Sequence, residues 1–436
     1  MSVRQFDSVQ IRVLAILALL NFVNYADRQI IFPLFPYIQQ DFDLSYTQLG
    51  LLATVFTVVL SLGSLPLGVL ADRWSRSKVI SFGVLFWSGA TFLSGLAPSF
   101  RSLLAARALV GVGEAAYTPA GTSILSETFP KEVRARVQGM FNIGMFLGGA
   151  VGMALGGIVA QWAGWRPAFF VTGVPGLILG FAALRLPDPK RAMGDASVPV
   201  RDLLRVPAFV MVLGSGWFSS FAGYAYTAWG PQFVQEYMGF SAREAGIVLG
   251  FTLVVAGAAG VMVGAILSDR LFRLVPWGRG VIIPVAFVLA APLVYLALEA
   301  GTKTGFTLLF GVGVFFLTWY HGPVTATIHD LIPASGHATA IGMYTLFVNL
   351  CSMALAPVVI GRIADATSLQ VALQAAIAAQ LIGGLLFVVV IYFIRRDGLH
   401  HRALAGYRDM EEPIAPMAAS RVIGRDSRGG DRRAIV

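Results

Sequence analysis

Charge is scarce in this 436-residue chain: Asp, Glu, Lys and Arg together make up 13% of it, where a soluble domain carries roughly a quarter. Cysteine is almost absent. Cys351 stands alone in an apolar run, which excludes a disulfide framework, a CxxC redox pair and a thiolate metal site. No Walker motif occurs, and Gly111-Val-Gly113 has neither a strand before it nor a phosphate-binding lysine after it, so nothing supports nucleotide binding or an ATP-driven pump. Before the C-terminal tail, long polar stretches are also missing, which leaves little room for a soluble domain.

What is present is apolar length. The chain is 56% hydrophobic, and runs of about 20 apolar residues, enough to cross a bilayer as helices, occur near 10–38, 45–71, 77–97, 100–128, 137–162, 168–186, 207–235, 242–268, 279–299, 304–332, 338–362 and 370–394. The expectation is an all-α, multi-pass membrane protein of twelve transmembrane helices. A Pro-containing, mixed-charge stretch at 187–206 divides them into bundles at 1–186 and 207–394, and a basic, polar tail follows at 395–436, read as disordered and attracted to anionic lipid. The first helix is too long and too polar in its second half for a signal peptide, so it is expected to remain in the mature protein.

The net charge of +9 fits topology better than nucleic acid. With both termini cytoplasmic, 25 of the 32 Lys and Arg fall on the inner side and only Arg101, Arg166, Arg243, Lys303 and Arg362 on the outer side, the bias expected of an inner membrane protein. No nucleic-acid partner is implied.

The two halves repeat. Leu70-Ala71-Asp72-Arg73 after the second helix reappears as Leu267-Ser268-Asp269-Arg270 after the eighth, and a shift of 203 residues carries Glu127 onto Asp330, Pro130 onto Pro333, Gly139 onto Gly342 and Met140 onto Met343. Such pseudo-symmetric halves point to alternating access around a site at their interface.

Two charges remain inside each of two helices. Asp27 and Arg28 lie within the first apolar run, and Arg107 and Glu114 within the fourth. Ionisable groups at membrane depth are costly unless paired or facing water, which marks them as functional. Arg107 and Glu114, seven residues apart, share a helix face about 10 Å from each other. Arg107 lies about 10 Å in from its helix start and Asp27 about 15–20 Å below the outer end of its own helix, so the guanidinium can reach the carboxylate. Low dielectric favours a protonated carboxyl and a neighbouring guanidinium an ionised one, so Asp27, Glu114, Arg28 and Arg107 form a candidate proton-coupling switch. A permanent ion-pair network joining the first and fourth helices is the other reading of the same residues.

Gly68-Val-Leu-Ala-Asp72-Arg73-Trp-Ser-Arg76-Ser-Lys78 resembles the G-x-L-a-D-R-x-G-R-[RK] signature of the major facilitator superfamily, with Ser75 in place of a glycine. Asn24-Tyr25-Ala26-Asp27-Arg28 and Arg107-Ala-Leu-Val-Gly111-Val-Gly113-Glu114 resemble its Spinster branch, as do Phe129-Pro130 and Gly164-Trp165-Arg166-Pro167. The anion:cation symporters of sugar acids and aromatic acids share the Tyr-x-Asp-Arg and Glu positions. The resemblance implies the major facilitator fold, a monomer that is not an enzyme, no cofactor, a proton gradient as energy source, and movement of a lysolipid or sphingoid phosphate. It also implies a gate in which Asp72, Arg73, Arg76, Asp269, Arg270, Glu127 and Asp330 latch the cytoplasmic side.

The second half lacks the charged cluster, because the 203-residue shift places Phe310 opposite Arg107 and Leu317 opposite Glu114. Aromatics on the seventh and tenth helices suit the apolar part of an amphiphile whose anionic head lies near Arg28 or Arg107. Expected substrate contacts are therefore Arg28, Arg107, Asn24, Tyr117, Tyr224, Trp229, Trp319 and His321, while core packing is the alternative reading for the aromatics and a hydrogen-bonded structural role for His321. A proton symporter of a small sugar acid or aromatic carboxylate is the competing function. A lipid-modifying membrane enzyme would need a catalytic constellation, and only His329-Asp330 offers one. Gly144, Gly148, Gly152 and Gly156 form a small-xxx-small stripe for close helix packing; the stripe lacks the proline of the antiporter signature and does not establish exchange.

Overall fold

The computed structural model describes residues 6–130, 133–188, 199–275, 277–333 and 336–396, without the side chains of Asp72, Ala135 and Ala338. The tail beyond residue 396 and half of the central connection, 189–198, lie outside the described residues. The first half comprises α1 (Ser8–Ile30), α2 (Phe35–Phe42), α3 (Tyr46–Arg73), α4 (Arg76–Gly95), α5 (Phe100–Thr128), α6 (Arg134–Ala163) and α7 (Arg166–Ala183). After the short α8 (Val200–Leu204) come α9 (Pro207–Tyr237), α10 (Ala242–Leu274), α11 (Gly278–Leu298), α12 (Lys303–Leu317), α13 (His321–Leu331), α14 (His337–Val348), α15 (Ala356–Ala366) and α16 (Leu369–Arg396). Among the described residues there is no strand.

Three spans are broken. A 3-10 turn at Phe32–Leu34 joins α1 to α2, another at Thr318–Tyr320 joins α12 to α13, and a π-turn at Asn349–Met353 joins α14 to α15. Counting α1–α2, α12–α13 and α14–α15 as single spans, eleven segments among the described residues are long and apolar enough to cross a membrane. The twelfth, α5, is 29 residues long and carries Arg107 and Glu114 inside it, so its charges rather than its length set it apart.

Each half packs on itself: α1 on α6 and α7, α4 on α5 and α7, and α3 on α5 in the first; α9 on α16, and α11 on α12 and α16, in the second. The halves meet where α6 packs on α10 and α3 on α15. Glycines let α6 approach a helix on each side, the predicted stripe facing α1 and Gly157 facing α10. Gly144, Gly148, Gly152 and Gly156 lie against the backbone of Ala18, Phe22, Ala26 and Ile30 on α1, while Gly157 lies against Ala242, and Gly246 and Gly250 of α10 answer with Met153 and Ala150. A Cβ at any of these positions would overlap main chain, so α1 is held by its Ala26 side and presents the neighbouring Asp27 and Arg28 to α4, α5 and α7.

The molecule has two ends: one, here the termini end, bears the start of α1, the end of α16 and α8, and the other, here the far end, bears the loops that start α3, α5, α10 and α12. Ser45, Ser99, Ser241 and Thr302 cap those helices, the first three as capping boxes. At the far end one buried apolar cluster runs through both halves, from Ile30, Phe35 and Leu49 to Trp229, Phe233 and Ala245. The second cluster, around Leu17, Val84, Tyr117 and Ile124, belongs to the first half alone.

Candidate functional site

The four charged residues predicted from sequence come together. Arg28 Nε lies 2.6 Å from Glu114 Oε2, and Arg107 Nη1 lies 3.7 Å from Asp27 Oδ2. The side chains of Asp27, Arg107 and Glu114 are at most 2% exposed, whereas that of Arg28 is 18% exposed. The quartet thus has a sealed pair, Asp27 with Arg107, and a pair that reaches solvent through Arg28. Removing one partner of such a buried pair typically costs about 3–5 kcal/mol, because the other charge is left uncompensated.

Sequence reasoning missed what holds the carboxylate. Thr91 Oγ1 of α4 donates to Asp27 Oδ2 at 2.9 Å, and Thr172 Oγ1 of α7 donates to Asp27 Oδ1 at 3.3 Å. These bonds orient Asp27 toward α4 and α7. Phe56 of α3 was missed as well: its ring lies 5.0 Å from the Arg107 guanidinium and 5.7 Å from that of Arg28, which also covers Tyr25 at 4.9 Å. A desolvated cation over an aromatic face is worth about 2 kcal/mol. Nothing in local spacing links threonines on two helices, or a phenylalanine on a third, to an aspartate on the first.

Opposite this cluster the second half, with Met153 of α6, forms an apolar cavity of about 180 Å³. Phe310 and Leu317, the residues that the 203-residue shift equates with Arg107 and Glu114, both line it, together with Tyr224, Tyr226, Tyr320 and His321. Tyr224 faces Thr57 of α3 and so bridges toward the charged half. The His321 ring is exposed, lines the cavity and lies tilted against the Tyr320 ring at 4.2 Å.

Other predicted contacts lie elsewhere. Trp229 is fully buried at the far end, where it packs on Phe35 and Tyr46 and donates to the Pro357 carbonyl at 3.1 Å; its aromatic face is used in sealing, away from the cavity lining. Trp319 packs on Phe315 and Phe316 beside Gly264 rather than lining the cavity. The Tyr117 hydroxyl donates to the Leu17 carbonyl at 2.8 Å and its ring meets Trp87, which makes it a brace between α5 and α1. Asn24 is buried one turn before the charged pair on α1, with both amide atoms unpartnered among the described residues.

The residues expected to latch the termini end pair within their own halves. Arg76 is ion-paired with Glu127, and Arg279 forks onto both oxygens of Asp330 at 2.7 and 2.8 Å while reaching Asp269 at 3.4 Å. These pairs are themselves related by the 203-residue shift. Arg73 and Arg270 are exposed, and the Asp72 side chain lies outside the described residues. Asp330 is thereby committed to Arg279, while His329 stacks on His337, so the only sequence-level hint of a catalytic pair is divided between two unrelated contacts.

The described hydrogen bonds that join the halves run from mid-span to the far end. Asp365 of α15 accepts from the Tyr46 and Thr47 amides at 2.8 and 2.9 Å and from the Thr47 hydroxyl at 2.6 Å, capping α3 across the interface. Tyr46 Oη donates to Glu236 at 2.9 Å, Gln232 Nε2 to Gln39 at 2.7 Å, and Thr54 Oγ1 to the Ala354 carbonyl at 2.6 Å. The far end is therefore closed by polar contacts between halves over a shared apolar core.

Known proteins share this architecture. The chain is 28% identical over 399 residues to an MFS-type efflux pump of Mycolicibacterium smegmatis, covering 88% of this chain and 92% of that protein. It is 28% identical over 372 residues to Protein spinster of Drosophila melanogaster, covering 80% of this chain and 61% of that longer protein. Its fold superposes with a TM-score of 0.80 at 23% identity on the crystal structure of a bacterial homolog of the human lysosomal transporter Spinster, in an inward-facing and unoccupied conformation, over 90% of this chain and 99% of that one. A family model of the Major Facilitator Superfamily matches residues 17–354, a stretch that holds the charged quartet, both ion-paired repeats and most of the helices of both halves, and the chain belongs to that superfamily of transporters.

Proposed function

We propose that this protein is a proton-coupled secondary transporter of an amphiphilic organic anion, working as a monomer by alternating access. The observation that carries the reading is the opposition of two unlike half-sites at pseudo-equivalent positions. Arg28 offers a partly exposed guanidinium to an anionic head, and the cavity of Phe310, Leu317, Tyr224 and His321 offers an apolar surface to the remainder of the solute. The spacing of the charged pairs supports proton coupling: each acid has a basic partner close enough to compete with a proton, so that a change in helix packing changes proton occupancy. Buried polar atoms left without partners at Asn24, Glu114 Oε1 and Arg107 Nε support a network built to exchange contacts rather than a fixed brace.

The bias of basic residues supports an orientation with the termini end cytoplasmic and the closed far end outside, and with it the reading of an inward-facing conformation in an inner membrane. The ion pairs Arg76–Glu127 and Arg279–Asp330 then sit at the cytoplasmic face, held within their own bundles while that side is open. The test is transport into proteoliposomes under an imposed pH gradient, comparing lysophosphatidylglycerol with glucuronate and benzoate. Gradient-driven movement of the lysolipid alone is the expected result; movement of the small acids alone would transfer the reading to a sugar-acid or aromatic-acid symporter, and no gradient-driven movement of any of them would overturn it.

A further inference from the structure

The two arginines of the quartet share one neutral neighbour. The Phe56 ring lies within cation–π range of both guanidiniums, at 5.0 Å from Arg107 and 5.7 Å from Arg28, and it is 4% exposed. The two cations would repel each other in this low-dielectric setting, and the ring offers each a favourable surface. The backbone fixes the ring in turn, because Gly111 of α5, between Arg107 and Glu114, lies directly against the Phe56 carbonyl and leaves no space for a Cβ.

The helix that carries Phe56 is also the one that meets the other half. Its N-terminus is capped by Asp365, Thr54 bonds the Ala354 carbonyl, Gly50 lies against Pro357, and Thr57, next to Phe56, faces Tyr224. Opening the far end must break the Asp365 cap and shift α3 against α15, and Phe56 would move with α3. We infer that Phe56 is the positioning residue of the charge switch: it keeps Arg107 on Asp27 and Arg28 on Glu114 while the far end is closed, and its displacement with α3 lets the pairs rearrange when that end opens. This inference rests on the proposed proton coupling and names the side chain through which coupling reaches the interface between halves.

A merely space-filling role and a positioning role separate on the choice of replacement. Phe56→Leu keeps apolar bulk and removes the π face, whereas Phe56→Trp keeps the π face. In proteoliposomes the expected result for Leu is a loss of roughly tenfold in pH-gradient-driven lysophosphatidylglycerol uptake and a shift of about one pH unit in its pH profile, with Trp retaining the wild-type profile. A second readout needs no transport: the pH dependence of thermal unfolding of purified protein in detergent should move in the Leu variant and not in the Trp variant. Leu and Trp variants that behave alike in both readouts would overturn the positioning role. If wild-type protein shows no gradient-driven uptake, the functional proposal fails instead, and the unfolding profile still decides whether Phe56 governs the charge arrangement.

Discussion

The two halves of this molecule share a framework and diverge at its centre. Shifting the first half by 203 residues carries Arg76 onto Arg279 and Glu127 onto Asp330, and both pairs form the same contact at the termini end. The same shift carries Arg107 onto Phe310 and Glu114 onto Leu317, and here one half places a buried ion-pair network where the other places an apolar wall. A repeated scaffold thus keeps its peripheral ion pairs, which hold helices in register, and diverges at its central positions, where one half is charged and the other apolar. Charge concentrated in one half also gathers the buried ion pairs into a cluster that a single helix, α3, connects to the interface.

Removing a charge from the charged half should have the largest effect on stability. Arg107→Leu leaves the Asp27 carboxylate buried with only two threonine donors and should destabilise the protein by about 3–5 kcal/mol, read as thermal unfolding in detergent. The equivalent truncation in the apolar half, Phe310→Ala, leaves no stranded charge. Its expected effect is on selectivity: burying an aromatic side chain's worth of apolar contact is worth roughly 2 kcal/mol, and each substrate methylene about 0.8 kcal/mol, so the variant should flatten the dependence of transport on lysolipid chain length. An unchanged chain-length profile would show that this wall does not hold the tail.

Smaller effects belong to contacts between halves and on the surface. Asp365→Asn keeps the shape of the cap on α3 but removes its charge, worth about 1 kcal/mol. Spin labels at positions 40 and 366 in a Cys351→Ser background should then report a several-fold larger population with the far end open. The smallest change is expected for Lys303→Ala, whose partner Glu244 is 2.7 Å away but whose pair is about half exposed. Less than about 1 kcal/mol of stability should be lost, and a larger loss would mean that exposed ion pairs in the second half matter as much as the buried ones in the first.

The fold was legible because its signals are local. Apolar length located the spans, and the glycines at 144, 148, 152 and 156 announced a close helix contact that proves to be with α1. The quartet was legible because charge inside an apolar run is rare, and two helical turns between Arg107 and Glu114 confined the possible partners. Thr91, Thr172, Phe56 and Asp365 were not legible. Each is an ordinary residue in its own helix and acquires a role only through contacts 28 to more than 300 residues away, as the reach from Phe56 to Arg28 and from Asp365 to Tyr46 illustrates. The aromatics misled for the converse reason: Trp229 and Trp319 carry the same local signal whether they face a cavity, as Tyr224 does, or fill a core.

Asp27→Asn offers the most direct test of the central claim, since the amide keeps the volume of the carboxylate and a partner for the Thr91 and Thr172 hydroxyls while removing the charge that pairs with Arg107. The account predicts folded protein in which lysophosphatidylglycerol no longer moves with an imposed pH gradient and no proton flux accompanies it, read by a pH-sensitive dye sealed inside proteoliposomes. Gradient-driven uptake and proton flux equal to those of the unaltered protein would contradict it.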